Sequence, residues 1–596
     1  MHELELRKFI EEVRVGTVPR RSFIQHMVFL GLTAPMASAM LSISGVAQAQ
    51  SSPVFKPTKR GGGGALKSIW WQSATLLQPH FAGGTKDQEG CRIFYEPLAV
   101  WSNDGALIPI LAAEIPTREN GGLSKDGTSV LWKLKKGVTW HDGTPFTADD
   151  CVFTWEYARD PATAAVTSGI YKDVTVAKID SHSIRVTFKK VTPFWATAFV
   201  AAGGMIIPKH LFSPYKGAKA REAPQNLKPV GTGPYKFVEF KPGDMLRGEI
   251  NKDYHMVNKP FFDSIEIKGG GDSTSAARAV LQTGEYDHAW NLQTEDDVLK
   301  RMENSGKGRA YFISSGLVEV FQLNPTDPRN EVDGERSSIK SKHFAFSDPA
   351  VREAISLLFD LKGIQEFIYG RSGVATSNVI NSLPGFVSTK TKMEFNVEKA
   401  NQLLENAGWK KGADGIREKD GKKLKIENQT SINSVRQKQQ AVIKQSCEKA
   451  GIGMDLKAIT ASVFFSSDVG NPDTLRKFWN DTQMYTQEMA EPDPGRAMES
   501  YVSWEISSKA NNWAGRNIGR WSNSEFDKAY IAAESEIDPV KRGALFIRMN
   551  DLIVNDHFLF PMINRAKVRA INLKLVPQLT AWDLEMSFLQ DWHRLA

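Results

Sequence analysis

The segment 130–157 constrains the fold more than any other part of the sequence, because it specifies a continuous series of short elements. Alternating apolar residues predict a strand over 130–134, followed by a Lys-Gly turn and a second extended piece. The Asp-Gly and Thr-Pro pairs within 142–145 favour a further turn. Thr147 is then a suitable N-cap for a helix with aspartates in its first turn. This alternation of strands and helices predicts a mixed α/β fold.

Other segments repeat the alternation along the chain. Strands are predicted over 65–70 and 235–240, each next to a glycine-containing loop. Helices are predicted after Ser347, a suitable cap with proline in the first turn, and over 397–407 with a stop at Gly408. The length of 596 residues exceeds what one hydrophobic core supports, so two or three domains are expected.

The N-terminal segment has the order of an export signal. The adjacent Arg20 and Arg21, followed by Ser-Phe-Ile, resemble the twin-arginine signal, and a weakly apolar run comes after them. Ala47 and Ala49 then form an A-x-A cleavage site, which predicts a signal peptide over 1–49 and a periplasmic mature protein. The alternative is a retained transmembrane anchor, against which the proline and the serines within the run argue.

Composition and charge argue against several functional classes. The net charge of +7 is small for this length and charges of both signs are interleaved, so nucleic acid is not expected as a partner. Cys91, Cys151 and Cys447 match neither a disulfide framework nor a CxxC site. The eleven histidines show no metal-ligating spacing, so no metal and no cofactor is predicted. His141 and Asp142 lie in a turn without a nearby nucleophile, which favours a structural role over acid–base chemistry.

Several segments follow one another in the order typical of one protein family. They are distributed over the chain after the signal, at 95–112, 132–150, 229–235, 281–287, 348–355 and 400–404. The first contains YEPL and a later DG pair, and the second reads WKLKKGVTWHDGTPFTADD. Together they resemble the extracellular solute-binding proteins of the oligopeptide and dipeptide importer type, solute-binding protein family 5.

The resemblance implies a fold and a domain organisation. The fold would be an α/β, two-lobed periplasmic-binding-protein clamshell (type II, cluster C-like) with an additional domain, and its lobes would close on a ligand by hinge motion. The implied division assigns 50–96, 228–322 and 566–596 to lobe I, 97–227 to an inserted domain II, and 323–565 to lobe III.

One loop is similar to the family's ligand-binding stretch W-x-x-D-x-x-D-P-D. In the segment 485–493, Glu488 stands in the place of the aspartate that receives the ligand's α-amino group, and Tyr485 stands in the place of the tryptophan. A buried ammonium needs a charge-assisted acceptor, which a glutamate can provide. Glutamate is longer than aspartate, so the position of the ammonium would change. The alternative is that Glu488 is an ordinary surface residue.

Large aromatic residues and two polar residues complete the predicted site. Trp70, Trp290 and Trp513 are candidates to line the cleft, although most tryptophans belong to protein cores. Arg516, close to Trp513 in the same polar loop, could pair with a ligand carboxylate. Asn324 resembles the family's Asn at the crossing into the last domain, where it would act as a hinge or a backbone contact.

The resemblance implies the substrate-binding component of an ABC importer. It would capture short peptides in the periplasm as a monomer without enzymatic activity, and deliver them to a complex of membrane permease and ATPase. A first alternative keeps the fold but changes the ligand to an oligosaccharide, an opine or another amino-acid conjugate. A second alternative is an exported enzyme, because the twin-arginine route often carries cofactor proteins; no nucleophile or cofactor motif supports it.

Overall fold

The computed structural model describes most of the chain after the predicted signal. The described residues are Ile10 and Glu12, followed by the ranges 57–103, 105–381, 386–466, 470–489, 491–513, 515–536 and 538–595. The predicted signal residues Arg20, Arg21, Ala47 and Ala49 lie outside them, so the signal peptide stays a prediction. No helix among the described residues is long and apolar enough to cross a membrane.

The described chain divides into two compact units. The first comprises the described residues of Met1–Leu292, Leu299–Ile313 and Val568–Ala596, and the second those of Gln293–Val298 and Ser314–Lys567. The finer division into lobe I, domain II and lobe III stays a prediction.

The main sheet of the first unit combines parallel and antiparallel neighbours. Its central strand pairs in parallel on both sides, and the last two strands continue antiparallel. In spatial order the strands are His288–Ala289, Ala65–Trp70, Ser264–Gly269, Met245–Ile250 and Tyr235–Lys241. The two strands predicted in this unit, over 65–70 and 235–240, are confirmed.

A second, antiparallel sheet of the first unit contains the strands Ser129–Lys133, Ser183–Phe188 and Val174–Asp180, in that spatial order. Short ladders pair Ala99–Trp101 with Leu107–Pro109, and Leu575–Val576 with His593–Arg594. The helices are Thr85–Arg92, Ala148–Arg159, Ser168–Tyr171, Lys209–Phe212 and Ser273–Leu281; Asp296–Glu303 contributes residues to both units.

The helix Ala148–Arg159 begins as its sequence predicts. Thr147 is the N-cap, and its hydroxyl oxygen accepts a hydrogen bond from the amide of Asp149. Asp150 completes a capping box, because its carboxylate accepts the Thr147 amide at 2.9 Å. These bonds satisfy amide groups that the first helical turn leaves unpaired. The second extended piece predicted after the first strand forms only a single bridge, between Thr139 and Pro145.

His141 fixes this turn to a glycine-containing loop. Its Nδ1 accepts a hydrogen bond from the amide of Gly231 at 3.1 Å, and its Nε2 lies 3.1 Å from the carbonyl oxygen of Gly233. Burial is the main reason that the pKa of His141 falls to about 4. Asp142 instead pairs with His210 at 2.7 Å. The structural role predicted for this pair agrees with these contacts.

The main sheet of the second unit includes two long strands that contribute residues to both units. In spatial order the strands are Gly453–Ile459, Lys425–Ser431, Thr482–Met489, Gly308–Leu323 and Leu559–Asn572, with Gly373–Ala375 paired to the last. Smaller ladders join Glu331–Val332 to Glu335–Arg336, and Lys410–Lys411 to Arg417–Lys419 and Lys422–Lys423.

The core of the second unit lies against this sheet. Phe321, Phe359, Ile443, Met484 and Phe560 are among its buried residues. The helices of the unit are Pro349–Ser356, Leu361–Ile364, Val397–Asn406, Ser434–Lys449, Ala461–Phe464, Gly495–Met498, Ser524–Ala533 and Pro539–Asn555. The units therefore both combine helices with mixed sheets, and the predicted α/β class is confirmed.

One helix cap differs from the sequence prediction. Asp348, not Ser347, caps the helix Pro349–Ser356, because its Oδ1 accepts the Ala350 amide at 3.0 Å. The hydroxyl of Ser347 donates instead to the carbonyl oxygen of His343. The glycine stop at Gly408 is confirmed: its φ of +86° lies in the left-handed region, and the helix ends just before it.

Candidate functional site

The two residues predicted from the family's ligand-binding stretch lie in one strand of the second unit but on opposite faces. Tyr485 and Glu488 both belong to Thr482–Met489. Tyr485 pairs with Val320 and Glu488 with Leu317 of the neighbouring strand. Because side chains alternate along a strand, an odd separation directs these two to different sides of the sheet. The structure therefore does not bring them together.

Tyr485 occupies a buried polar cluster on its face. Its hydroxyl donates to Gln322 Oε1 at 3.1 Å, and the amide of Gln483 donates to the same oxygen at 3.3 Å. Tyr501 donates to Gln487 on the same face. Burial raises the pKa of Tyr485, so the phenol remains a neutral donor. Its contacts are those of a tyrosine that is satisfied within the protein.

Glu488 is exposed on the other face. Its Oε1 lies 3.8 Å from the Nζ of Lys567, which belongs to the strand Leu559–Asn572 on the far side of Gly308–Leu323. The side chain of Glu488 is 33% exposed, compared with 17% for Lys567. A carboxylate in this position can accept a cationic group of a ligand, although a lysine already lies beside it.

A buried ion pair lies on the same face as Glu488. Arg436 donates from Nε and Nη2 to the two carboxylate oxygens of Glu319, at 3.0 and 2.9 Å. Arg436 also donates to Thr486 at 2.6 Å and to Ser431 at 2.8 Å, and Thr486 donates to Glu319. Burial opposes ionisation of Glu319, but Arg436 outweighs it and lowers the pKa of that carboxyl. Both charges are therefore saturated by hydrogen bonds.

Arg565 adds a further cation to this face. It is only 9% exposed, and its Nε is closed off from solvent without a hydrogen-bond partner. Among the described residues its guanidinium makes no hydrogen bond and no ion pair. Burial lowers its pKa, while the charges of Glu319 and Glu488 act in the opposite direction. A buried guanidinium without an acceptor is costly, so this position is suited to an anion.

Trp513 lies in a cluster of aromatic rings and one cation, also in the second unit. The Nζ of Lys477 lies 4.4 Å from the ring centroid of Trp513 and 4.5 Å from that of Trp479. Lys477 is 5% exposed, so these cation–π contacts lie in a largely desolvated place. The indole N–H groups of both tryptophans have no partner among the described residues.

Arg516 is already engaged. Its Nε lies 3.3 Å from the carboxylate of Glu499, and its Nη2 donates to the carbonyl oxygen of Arg496 at 3.1 Å. Burial is the main cause that lowers its pKa to about 10. A ligand carboxylate would have to compete with Glu499 for this guanidinium.

Asn324 is fully buried at the end of the strand Gly308–Leu323. Its amide nitrogen donates to Ser337 Oγ and to the carbonyl oxygens of Phe478 and Asn480, at 2.8 to 3.1 Å. Its Oδ1 accepts the amide and the hydroxyl of Thr326. These bonds join separate loops of the second unit, which is a scaffolding role.

Trp70 and Trp290 pack against each other inside the first unit. Their ring centroids lie 5.5 Å apart with an interplanar angle of 35°. Trp70 donates to Ser68 at 2.9 Å, and Trp290 lies 3.4 Å from Glu89. Both rings are buried, with exposed fractions of 0% and 4%. Their predicted contact with a ligand stays a prediction.

The residues around Glu488 were not predicted from the sequence. One signal was available: Glu319 interrupts the apolar run LVEVF of a strand, and a charge in such a position requires a partner. Arg436, Arg565 and Lys567 carry no recognisable motif. No group of three or more His, Cys, Asp or Glu side chains suitable for a metal occurs among the described residues.

Comparison with known families gives one match. Residues 106–512 match the family described as bacterial extracellular solute-binding proteins, family 5. The oligopeptide-binding protein AppA of Bacillus subtilis (strain 168) is 29% identical over 354 residues, 58% of this chain; the chain spans 60% of the length of that relative. The glutathione-binding protein GsiB of Escherichia coli (strain K12) is 23% identical over 528 residues, which is 86% of this chain and 91% of GsiB.

Solved structures show the same fold. The structure of AppA from Bacillus subtilis in complex with a nonapeptide has a TM-score of 0.75 at 23% identity, covering 91% of this chain and 100% of AppA. NikZ from Campylobacter jejuni in complex with Ni(L-His) has a TM-score of 0.74 at 21% identity, covering 89% of this chain and 99% of NikZ. At these identities the likeness concerns the fold.

Proposed function

Because the chain belongs to the family 5 bacterial extracellular solute-binding proteins, we propose that it is the substrate-binding component of an ABC importer that captures short peptides. The observation that carries the proposal is the family match over residues 106–512. A relative named as oligopeptide-binding and a solved neighbour with a bound nonapeptide support peptides over other solutes. The chain acts without catalysis, and a permease with its ATPase receives the ligand.

Glu488 is proposed to receive the ammonium of the ligand. It is an exposed carboxylate in the position that the family resemblance indicates, and it lies at one end of a sheet strand. Sites on regular elements hold a ligand group more rigidly than sites on loops. Tyr485 on the opposite face is proposed to support the strand through Gln322. Trp513 remains a candidate for a ligand contact, since its indole N–H has no partner among the described residues.

Export through the twin-arginine pathway is part of the proposal. Cleavage after Ala49 would release a periplasmic, monomeric protein that begins at Gln50. The double substitution R20K/R21K should remove the protein from the periplasmic fraction, and N-terminal sequencing of the wild-type protein should begin at Gln50. A purified periplasmic protein that retains residues before Ala49 would contradict cleavage.

Isothermal calorimetry with pooled di- to pentapeptides tests the ligand class. The wild-type protein should bind, and Glu488→Gln should weaken binding by roughly 10- to 100-fold, because a hydrogen bond to a charged group contributes about 1.5–3 kcal/mol. Glu353→Gln, at an exposed glutamate of the same unit, is the matched control and should leave affinity unchanged. Failure of every peptide pool while another solute class binds would overturn the peptide assignment.

A further inference from the structure

Arg565 is the feature of the second unit that the proposed function does not use. It is nine-tenths buried, and its guanidinium has no hydrogen bond or ion pair among the described residues. Other buried arginines of the unit are bonded: Arg436 to Glu319, and Arg542 to Asp493. An arginine keeps its charge in proteins, so its burial cost is not relieved by loss of a proton. The acceptor for Arg565 is therefore expected to come from outside the described residues.

Glu319 does not serve as that acceptor. Its two oxygens are taken by Arg436 and Thr486, with Arg436 at 2.9 and 3.0 Å. Of the charged side chains described on this face, three are cations, namely Arg436, Arg565 and Lys567, and two are anions, namely Glu319 and Glu488. Arg436 is neutralised by Glu319, whereas the guanidinium of Arg565 has no acceptor among the described residues, so this face favours a ligand that brings a carboxylate.

The carboxylate of Glu488 lies close to the cations of this face. Its carboxylate lies 3.8 Å from Lys567 and acts on the pKa of Arg565. A ligand group that binds Glu488 through an ammonium therefore has cations immediately beside it. These cations weaken the binding of a ligand that offers an ammonium alone, and they strengthen the binding of one that has a carboxylate next to its ammonium.

Peptides differ in whether they offer this pair of charges. The N-terminus of an ordinary α-linked peptide carries an ammonium, but its α-carboxyl is consumed in the amide bond. A peptide linked through a side-chain carboxyl, such as a γ-glutamyl peptide, keeps both the ammonium and the carboxylate on one carbon. Amino-acid conjugates attached through their side chains share this head group.

We propose that the ligand presents an intact α-amino-acid head group, with its ammonium at Glu488 and its carboxylate at Arg565. This inference rests on the proposed role of Glu488 as the ammonium acceptor. Arg565 is then a specificity-determining residue that selects side-chain-linked peptides over α-linked ones. Arginine suits this role, because its planar guanidinium can hold a carboxylate through two nitrogens.

The isomers γ-Glu-Ala and α-Glu-Ala provide the test, because they share composition and charge and differ only in linkage. Calorimetry on the full-length mature protein should give γ-Glu-Ala an affinity about tenfold or more above that of α-Glu-Ala. Arg565→Gln should lower the affinity for γ-Glu-Ala by a similar factor and leave α-Glu-Ala unchanged, so that the preference disappears. Arg548→Gln, at an exposed arginine of the same unit, is the control and should keep the preference.

The outcomes separate this inference from the proposed function. Equal binding of the two isomers by the wild-type protein, or an equal loss for both in Arg565→Gln, would overturn the inference while peptide pools still bind. If neither the isomers nor any peptide pool binds, the proposed function itself falls. Arg565→Lys keeps the charge and guards against a folding defect: it should bind γ-Glu-Ala with intermediate preference, and a preference as strong as wild type would refute recognition by the guanidinium.

Discussion

Removing the charge of Glu319 should destabilise the second unit strongly. Glu319→Gln keeps the shape of the side chain but leaves Arg436 as a buried cation without its counterion. The two residues are 1% and 4% exposed, so solvent offers little compensation. Breaking a buried ion pair by removing one partner costs about 3–5 kcal/mol. Loss of both charges, in the double variant E319L/R436M, should cost far less, because neither charge then remains unpaired.

Hydrogen exchange read by mass spectrometry at increasing urea can measure this effect on the second unit alone. Peptides from Ser314–Lys567 should lose protection at a lower urea concentration in Glu319→Gln, by roughly 1 M or more if the urea slope is about 3 kcal/mol per molar. Peptides confined to the first unit should keep the wild-type midpoint, which makes them an internal control.

Two results would refute the reasoning. If Glu319→Gln lowers the free energy of unfolding by less than about 1 kcal/mol, Arg436 must bind another acceptor or a water molecule, and the pair is then not shielded from solvent. A double variant as unstable as the single one would mean that the packing of these side chains, and not their charge, holds the strand in place.

Further predictions concern the first unit, each measured by urea unfolding of the full chain with exchange-resolved peptides. His141 has a folded pKa of about 4, below the unfolded value of about 6.5, so its neutral form stabilises the fold at neutral pH. That contribution is lost as pH falls from about 6.5 to about 4, ~3 kcal/mol in total, and His141→Gln should flatten this part of the pH profile. Thr147→Ala removes the helix cap and should cost about 1–2 kcal/mol, with exchange rising first in Ala148–Arg159. Gly231→Ala should lower the free energy of unfolding by about 3 kcal/mol, because its Cβ would overlap the carbonyl oxygen of Phe94. An unchanged pH profile in His141→Gln would contradict the first prediction. Wild-type stability in Thr147→Ala or Gly231→Ala would contradict the prediction for that variant.

Local signals account for the parts of the fold that were predicted. The start of Ala148–Arg159 depends on residues within one turn, and Thr147 with Asp150 contains all the necessary information. The cap of Pro349–Ser356 was misplaced by one residue because Ser347 and Asp348 are both good capping residues and the sequence does not decide between them. Asp348 takes the role because Ser347 is bonded to His343.

The site was predictable only in part. Glu488 and Tyr485 were chosen from one motif, which turns out to lie in a strand. If the motif had been recognised as a strand, the alternation of side chains would already have placed these two residues on opposite faces. Arg565 could not be found in this way, because its significance depends on two residues distant in sequence: Glu319 in the strand Gly308–Leu323 and Arg436 in the helix Ser434–Lys449. The periodicity of a segment does not show which residues from distant parts of the sequence will contact it.

The pairing of His288–Ala289 with Ala570 and Ile571 determines how late during synthesis the sheet of the first unit can be completed. The first unit cannot complete its main sheet until residues 568–572 have been translated, whereas the second is built from a nearly continuous stretch. The second unit itself extends to Lys567, directly before residues 568–572, so neither unit has all its strands until the strand Leu559–Asn572 is made. During synthesis, the strand His288–Ala289 therefore stays without this antiparallel partner until residues 570 and 571 have been made.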